Sequence, residues 1–405
     1  MKLLFINCAY PQECYNLLKQ EANGILNAPV NVFQWAVIDG LERNGIDYTL
    51  ACVPSLPAWP RYKRMFTPKG IMSVEGTSRG HYLSYLNLPA LKQISERRVL
   101  RKYINGWCKK NKGEDRLVVL VYGQFVAEMG AAIDLKRKYP NLVVAPIVTD
   151  LIDNAMDFSA NHSLLKRFQV YLEEKGERKL FPKVDKYILL TKQMVECIPE
   201  AGGKYIVVEG IAPKDSLKPI EHTAKNDKIR TLLYTGVLEK YAGVDQLVDA
   251  FHQTRNPNFR LIICGGGASA LYVKNIASSD SRITYKGKVE REEAVQLQRE
   301  STLLINPRIP NGDITKYSFP SKTMEYMTSM TPMIGYHLEG IPEEYYEHMY
   351  TPRDLSVEAL TDCINETLSL PLDILQKKAE KAKIFIAENK SSKAQVKRII
   401  DFLNN

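Results

Sequence analysis

The chain has little with which to hold a metal or to cross-link itself. Its seven cysteines (Cys8, Cys14, Cys52, Cys108, Cys197, Cys264 and Cys363) are scattered and odd in number. No two have CxxC or metal-ligand spacing, so a reduced, cytoplasmic protein is expected rather than a disulfide scaffold. The six histidines are not clustered, which argues against a His-built metal site. No apolar run approaches the roughly 18 residues of a bilayer span. The opening MKLLFINCA, Met1–Ala9, is too short and wrongly flanked for a signal peptide and reads as a first β-strand. A GxGxxG with an acidic partner is missing, which weakens a dinucleotide reading. Helix-turn-helix, zinc and RNA-module signatures are also missing, so nucleic acid is not expected as a partner. There are no repeats and no low-complexity tracts.

What is present is an ordinary globular composition, 45% hydrophobic and 25% charged, over 405 residues, a length that suggests two or three domains. Charge is unevenly placed. Residues 1–210 carry 29 Lys and Arg against 21 Asp and Glu, whereas residues 211–405 carry 26 against 25. Nearly all of the net +9 therefore lies in the first half. It concentrates in Arg61–Arg64, in Arg97-Arg98, Arg101-Lys102 and Lys109-Lys110, and in Lys166–Lys186, each interleaved with apolar residues. Such segments suit an anionic membrane surface or a phosphate-bearing substrate; a solvated basic face is the plain alternative.

Short, continuous apolar runs predict strands at Lys2–Asn7, Tyr48–Val53, Leu117–Tyr122, Leu142–Val148, Lys186–Leu190 and Tyr205–Val208, as expected of parallel strands buried on both faces. A helix fits Asn31–Asn44. A polar, Lys-rich stretch, Ala212–Lys228, is the best linker. A second series follows: Arg230–Thr235, Phe259–Cys264, Arg282–Tyr285, Thr302–Ile305 and Pro332–Gly335, with helices at Val244–Gln253 and Arg291–Glu300. Two strand–helix series imply an α/β protein of two Rossmann-like, doubly wound domains, with ligands outside the carboxyl ends of the strands and in the cleft between them. The expected domains are 1–210 and 211–389. The tail is helical from about Asp373 and ends in the amphipathic Gln395–Leu403.

The most informative stretch is LLINPRIPNGDITKYSFPSKTMEYM, Leu303–Met327. An apolar strand enters a polar loop, and a helix begins near Phe319-Pro320-Ser321-Lys322, with Pro favoured in the first turn. A helix start offers free N–H groups and a positive dipole end to a phosphate. Lys322 adds a cation there, and Glu325 follows at i+3 on the same face. The pair suits a nucleotide diphosphate, with the carboxylate taking ribose hydroxyls; a capped surface helix is the alternative. Three strand-end loops point the same way: Tyr234–Gly243, with Gly236 and Lys240; Cys264–Gly267, with Gly266; and Tyr285–Val289, with Gly287 and Lys288.

The succession TGVLEKYAGVDQLVDAF, FRLIICGGG, ITYKGKV, LLINPR and FPSKTMEYMTSMTPMIG resembles the donor-binding half of family-4 retaining glycosyltransferases. It is most similar to bacterial enzymes of capsule and exopolysaccharide synthesis. The first half agrees: Asn23–Leu50 resembles the opening of the acceptor domain. The resemblance implies the GT-B fold and an NDP-sugar donor, of UDP or GDP type, held by 211–389. It implies an acceptor held by 1–210, retention at the anomeric carbon and no metal or other cofactor. The last helix, about 390–405, is expected to pack back on the first domain. The implied acceptor is a saccharide, lipid-pyrophosphate-linked, at the inner membrane face; a non-catalytic glycan-binding or partner protein is the alternative.

Residue by residue, Glu325 matches the second Glu of the family's Glu–seven residues–Glu motif. The first falls on Tyr317, a departure, so donor-sugar contacts are expected from the amides of Ser318 and Phe319 or from the Tyr317 hydroxyl. Asp313 is out of register for a simple replacement. Gly-Arg-Leu is here Gly236-Val237-Leu238, and the Lys before the second Gly is Ala242. Lys240, Arg308 and Lys322 are therefore the candidates for phosphate charge, Lys322 and Arg308 foremost, with Ser321 beside them at the helix start. Where many relatives carry a His, Asp150 ends a strand, suited to acceptor positioning or to a helix N-cap. Asn23 and Gly24 are placed on the acceptor side.

Overall fold

The computed structural model describes residues 1–24, 26, 28–149, 151, 164–218, 225–310 and 312–405. The chain divides into two compact units, Met1–Pro213 with Ser392–Asn405, and Lys214–Ser391.

The first unit is built on an eight-stranded sheet: β1 (Lys2–Asn7), β2 (Tyr48–Cys52), β3 (Gly70–Val74), β4 (Thr77–Tyr82), β5 (Leu117–Tyr122), β6 (Leu142–Val148), β7 (Tyr187–Leu189) and β8 (Tyr205–Val207). Their spatial order is β3-β4-β2-β1-β5-β6-β7-β8, parallel except for the edge strand β3. The winding reverses between β1 and β5. Every residue of β5 (LVVLVY) is buried, because helices cover both faces and leave a central strand no wet side. The β3–β4 hairpin escaped the sequence reading. Its turn is Glu75-Gly76, both at positive φ (47° and 82°), the geometry that matches strand twist in a two-residue hairpin.

The helix Ala28–Arg43 packs against the C-terminal helix Ser392–Asn404. The approach is close: a Cβ on Gly40 would lie 2.3 Å from Val396 Cγ2 and 2.4 Å from the Ser392 carbonyl oxygen. Val396, Ile399, Ile400 and Leu403 join the core under β1 and β2. Polar bonds finish the docking: the buried Gln395 Nε2 donates to the Gly210 carbonyl at 2.9 Å, and Arg116 Nη1 to that of Leu403 at 2.9 Å.

The second unit holds a parallel five-stranded sheet of β9 (Arg230–Thr235), β10 (Phe259–Cys264), β11 (Ile283–Gly287), β12 (Leu303–Asn306) and β13 (Met333–Gly335), ordered β11-β10-β9-β12-β13. This is the doubly wound pattern, and its switch point falls between β9 and β12. The loops that leave those two strands, 236–243 and 307–320, therefore stand where a ligand of such a sheet binds. They touch each other: Gly243 has φ +73°, and a Cβ there would lie 1.9 Å from the Pro307 carbonyl oxygen, so only glycine fits. No helix among the described residues is long and apolar enough to cross a membrane.

Candidate active site

The helix Ser321–Met327 begins one residue after Pro320, in the place read from the sequence, and no side chain caps its first turn. It presents Lys322, Glu325 and Tyr326 toward the end of β9. Lys322 Nζ lies 3.3 and 3.4 Å from the two Glu325 carboxylate oxygens and 5.5 Å from the Tyr326 ring centroid. Both distances to the carboxylate exceed the roughly 2.7–2.9 Å of a strong charge-assisted hydrogen bond, so the ammonium is only loosely engaged. The Glu325 side chain is 46% exposed, open enough to meet a ligand.

Two residues that the sequence reading did not single out hold this helix to the sheet. Gln298, 2% exposed on the helix Arg291–Glu300, donates through Nε2 to Glu325 Oε1 at 2.7 Å and to Thr235 Oγ1 at 3.1 Å. Tyr326 is fully buried. Its hydroxyl accepts the Thr235 amide at 3.0 Å and donates to the Thr235 carbonyl at 3.2 Å. Burial pushes the phenol's pKa well up, so it stays a hydroxyl. Thr235, the last residue of β9, is thus the anchor that sets Glu325 at the carboxyl end of the strand. An apolar-faced position for Gln298 among charged neighbours, REEAVQLQRE, was the available signal.

Arg308 reaches the same loop from β12. Its Nη2 donates to Ser318 Oγ at 3.2 Å. Burial lowers its pKa, with Tyr241 and Tyr234 opposing, yet a guanidinium remains charged at any working pH. Around it the loop is strongly tied down. Tyr317 is 8% exposed, with Lys316 Nζ 5.4 Å from its ring centroid. Phe319 packs its ring on Tyr345 at 5.3 Å. A Cβ on Gly340 would meet the Ser318 carbonyl oxygen at 2.4 Å. Ser321 is exposed at the helix start, and Lys240 is exposed in the turn 240–242. The side chain of Asp313 lies outside the described structure.

The glycine loops are filled largely by the protein itself. Gly265, at φ +145°, approaches so closely that a Cβ would lie 1.7 Å from the Gly236 carbonyl oxygen. The Gly236 amide donates to the Cys264 carbonyl at 3.0 Å, and the Gly265 amide to that of Gly287 at 2.7 Å. Gly266 is roofed by the Lys288 side chain, whose Cε lies 2.7 Å from where a Cβ would sit. These loops therefore bind one another across the ends of β9, β10 and β11.

In the first unit, Asn23 and Gly24 sit at successive positive φ angles, 51° and 78°. The Gly24 amide donates to the Lys19 carbonyl at 2.8 Å, so this pair terminates the helix Tyr15–Glu21 in the left-handed manner common at helix ends. Asp150 lies outside the described residues. Of the basic segments, Arg97 is committed to Asp134 through two bonds of 3.1 and 2.8 Å, whereas Arg98, Arg101 and Lys102 are exposed. Glu96 of the same helix and Glu128 are buried. Burial raises both carboxyl pKa values; Glu96 and Glu173 push Glu128 further up and Lys92 opposes. Among the described residues no group of three or more His, Cys, Asp or Glu is placed to hold a metal ion.

Residues 217–385 match the family described as "Glycosyl transferases group 1". No curated protein matches the chain in sequence. Among solved structures, the chain is similar in fold to sucrose-phosphate synthase from Thermosynechococcus elongatus, at 13% identity and TM-score 0.63, over 100% of this chain and 98% of that one. It is similar to the lipopolysaccharide outer core galactosyltransferase WaaB in its apo form, at 15% identity and TM-score 0.59, over 100% and 99%. It is similar, too, to HepE of Anabaena in complex with UDP, at 13% identity and TM-score 0.59, over the whole of both chains. The fold is GT-B, with two Rossmann-like domains, and the matched residues 217–385 lie within the second unit.

Proposed function

We propose that this protein is a retaining glycosyltransferase that takes a sugar from a nucleotide-diphosphate sugar without a metal ion. The acceptor is a saccharide on a lipid pyrophosphate, in the assembly of a bacterial surface polysaccharide. The observation that carries the reading is the Glu325 carboxylate, held by Gln298 at the carboxyl end of β9 inside the domain that matches group 1 glycosyltransferases. A half-exposed carboxylate with one oxygen anchored is suited to accept both ribose hydroxyls. UDP is the first choice of nucleotide, because HepE, of the same fold, was solved with UDP.

In this reading Lys322 leaves Glu325 for the diphosphate, since its present contacts are long. Lys322 and Arg308 then stabilise the charge that builds on the leaving group as the bond to the anomeric carbon breaks, the work a metal does elsewhere. The acceptor hydroxyl attacks on the face from which the diphosphate departs, and its proton passes to an oxygen of that departing diphosphate. The exposed Leu91 and Ile94 beside Arg98 and Arg101 support docking at the anionic inner membrane face. One observation favours a second reading, a non-catalytic partner of a transferase: the buried Tyr317 stands where the family's first carboxylate is expected.

A thermal-shift panel of UDP, GDP, ADP and their sugars, with and without magnesium, separates these. Stabilisation by one nucleotide family in the absence of metal, together with slow hydrolysis of its sugar nucleotide, supports the transferase. Binding without any hydrolysis favours the partner protein, and silence across the panel removes the donor site.

A further inference from the structure

A cavity of about 770 Å³ opens in the first unit, mostly at the amino ends of its strands, with only His81 and Leu83 near the carboxyl end of β4. Lys2 opens β1, and Asp47 and Thr49 flank the start of β2; all three line it. Ligands of such sheets sit at the carboxyl ends, so this is a second place. The facing wall is the helix Lys92–Lys110, from which Val99, Lys102, Tyr103, Gly106 and Lys110 line the cavity. They fall on one helical stripe.

The charge in the cavity is unbalanced. Lys2 is paired with Asp47, and Arg79 is held by both carboxylate oxygens of Glu42 at 2.5 and 2.7 Å. Lys102 and Lys110 are exposed, and neither has an ion pair among the described residues. Between them, four residues from each, stands Gly106. Glycine is a poor choice inside a 19-residue helix. Packing does not demand it, because an added Cβ would meet nothing within 4 Å. What it does is keep the floor open between two free ammonium groups. Their Cα atoms stand roughly 12 Å apart along the helix axis, eight residues at 1.5 Å each, so each ammonium can meet a different phosphate.

We propose that this cavity binds a small bisphosphorylated molecule, a sugar carrying a phosphate at each end, with Lys102 and Lys110 each neutralising one phosphate. The volume is that of a small-molecule site. The inference is independent of the donor site, which lies in the other unit.

The test is calorimetric titration of the full chain with glucose phosphorylated on its first and sixth carbons, with inorganic phosphate as the comparison. Saturable binding, at least about tenfold tighter than that of inorganic phosphate, is expected. The double variant K102E/K110E should lose it. So should Gly106→Leu, which keeps both charges, favours the helix and closes the floor; thermal melting verifies that each variant is folded. Binding that survives in folded K102E/K110E, no saturation of the wild type at millimolar concentration, or affinity equal to that for inorganic phosphate would each overturn the proposal.

Discussion

Gln298 Nε2 stands 2.7 Å from Glu325 Oε1 and 3.1 Å from Thr235 Oγ1, so one buried amide ties the exposed carboxylate to the last residue of β9. The bond orients Glu325 before any ligand arrives, which lowers the entropy that binding must offset. It also leaves Oε2 to a ligand or to Lys322.

Glu325→Ala should weaken UDP binding. Hydrogen bonds to a charged group contribute about 1.5–3 kcal/mol each, or roughly ten- to hundredfold in Kd. Gln298→Leu should give a smaller loss with Glu325 still present, because it removes orientation and not the acceptor. Calorimetric titration of both variants checks the order; an unchanged Kd for Glu325→Ala sinks the ribose assignment.

Lys322→Ala should lower kcat more than it raises Kd for UDP. A positioned charge on a leaving group acts mainly in the transition state, and its removal costs about a hundredfold. Pre-steady-state turnover beside a UDP titration separates the two. A loss confined to affinity would remove Lys322 from the chemistry.

The buried carboxyls predict a pH profile. Burial lifts Glu96 to about 7 and Glu128 to about 8, above the ordinary 4.5. Between 4.5 and those values the native state holds more protons than the unfolded chain, so this contribution to stability is complete below pH 4.5 and is lost as pH rises to about 8. Groups facing the pair are Lys92 and the Tyr85 hydroxyl, which oppose the rise, and Glu173, which adds to it. Glu128→Gln, a neutral isostere, should be more stable than wild type at about pH 9 and show a flatter dependence. Urea midpoints from about pH 5 to about pH 9 read this directly; a steeper profile in the variant would contradict it.

Gly40→Leu should destabilise the first unit. The space its Cβ needs is taken by Val396 and the Ser392 carbonyl, and overpacking costs about 1–3 kcal/mol. The C-terminal helix should loosen first, seen as faster amide exchange across Ser392–Asn404. Unchanged exchange there would mean that the two helices can shift apart cheaply.

Much of the scaffold was legible. Lys2–Asn7, Leu117–Tyr122, Leu142–Val148, Arg230–Thr235 and Phe259–Cys264 are strands over the very residues read from the sequence, as are the helices Val244–Gln253 and Arg291–Glu300. A strand buried on both faces must be apolar along its whole length, and that pattern has few other meanings. The hairpin β3–β4 was not legible, because an edge pair half in water carries only weak alternation. The basic segment of Arg97–Lys110 was read as one surface, yet its charges have three fates. Arg97 pairs with Asp134, Arg98 and Arg101 stay in solvent, and Lys102 and Lys110 line a cavity.

By itself the sequence determined where the chain turns from strand to helix, and so where Lys322 and Glu325 stand in their helix, because local periodicity and turn chemistry depend on near neighbours. Only the tertiary structure decided that Gln298, 27 residues away, holds Glu325, and that Gly265 makes room for the Gly236 carbonyl. A glycine or a buried amide is chosen by what meets it in space, and that partner leaves no periodic trace along the chain.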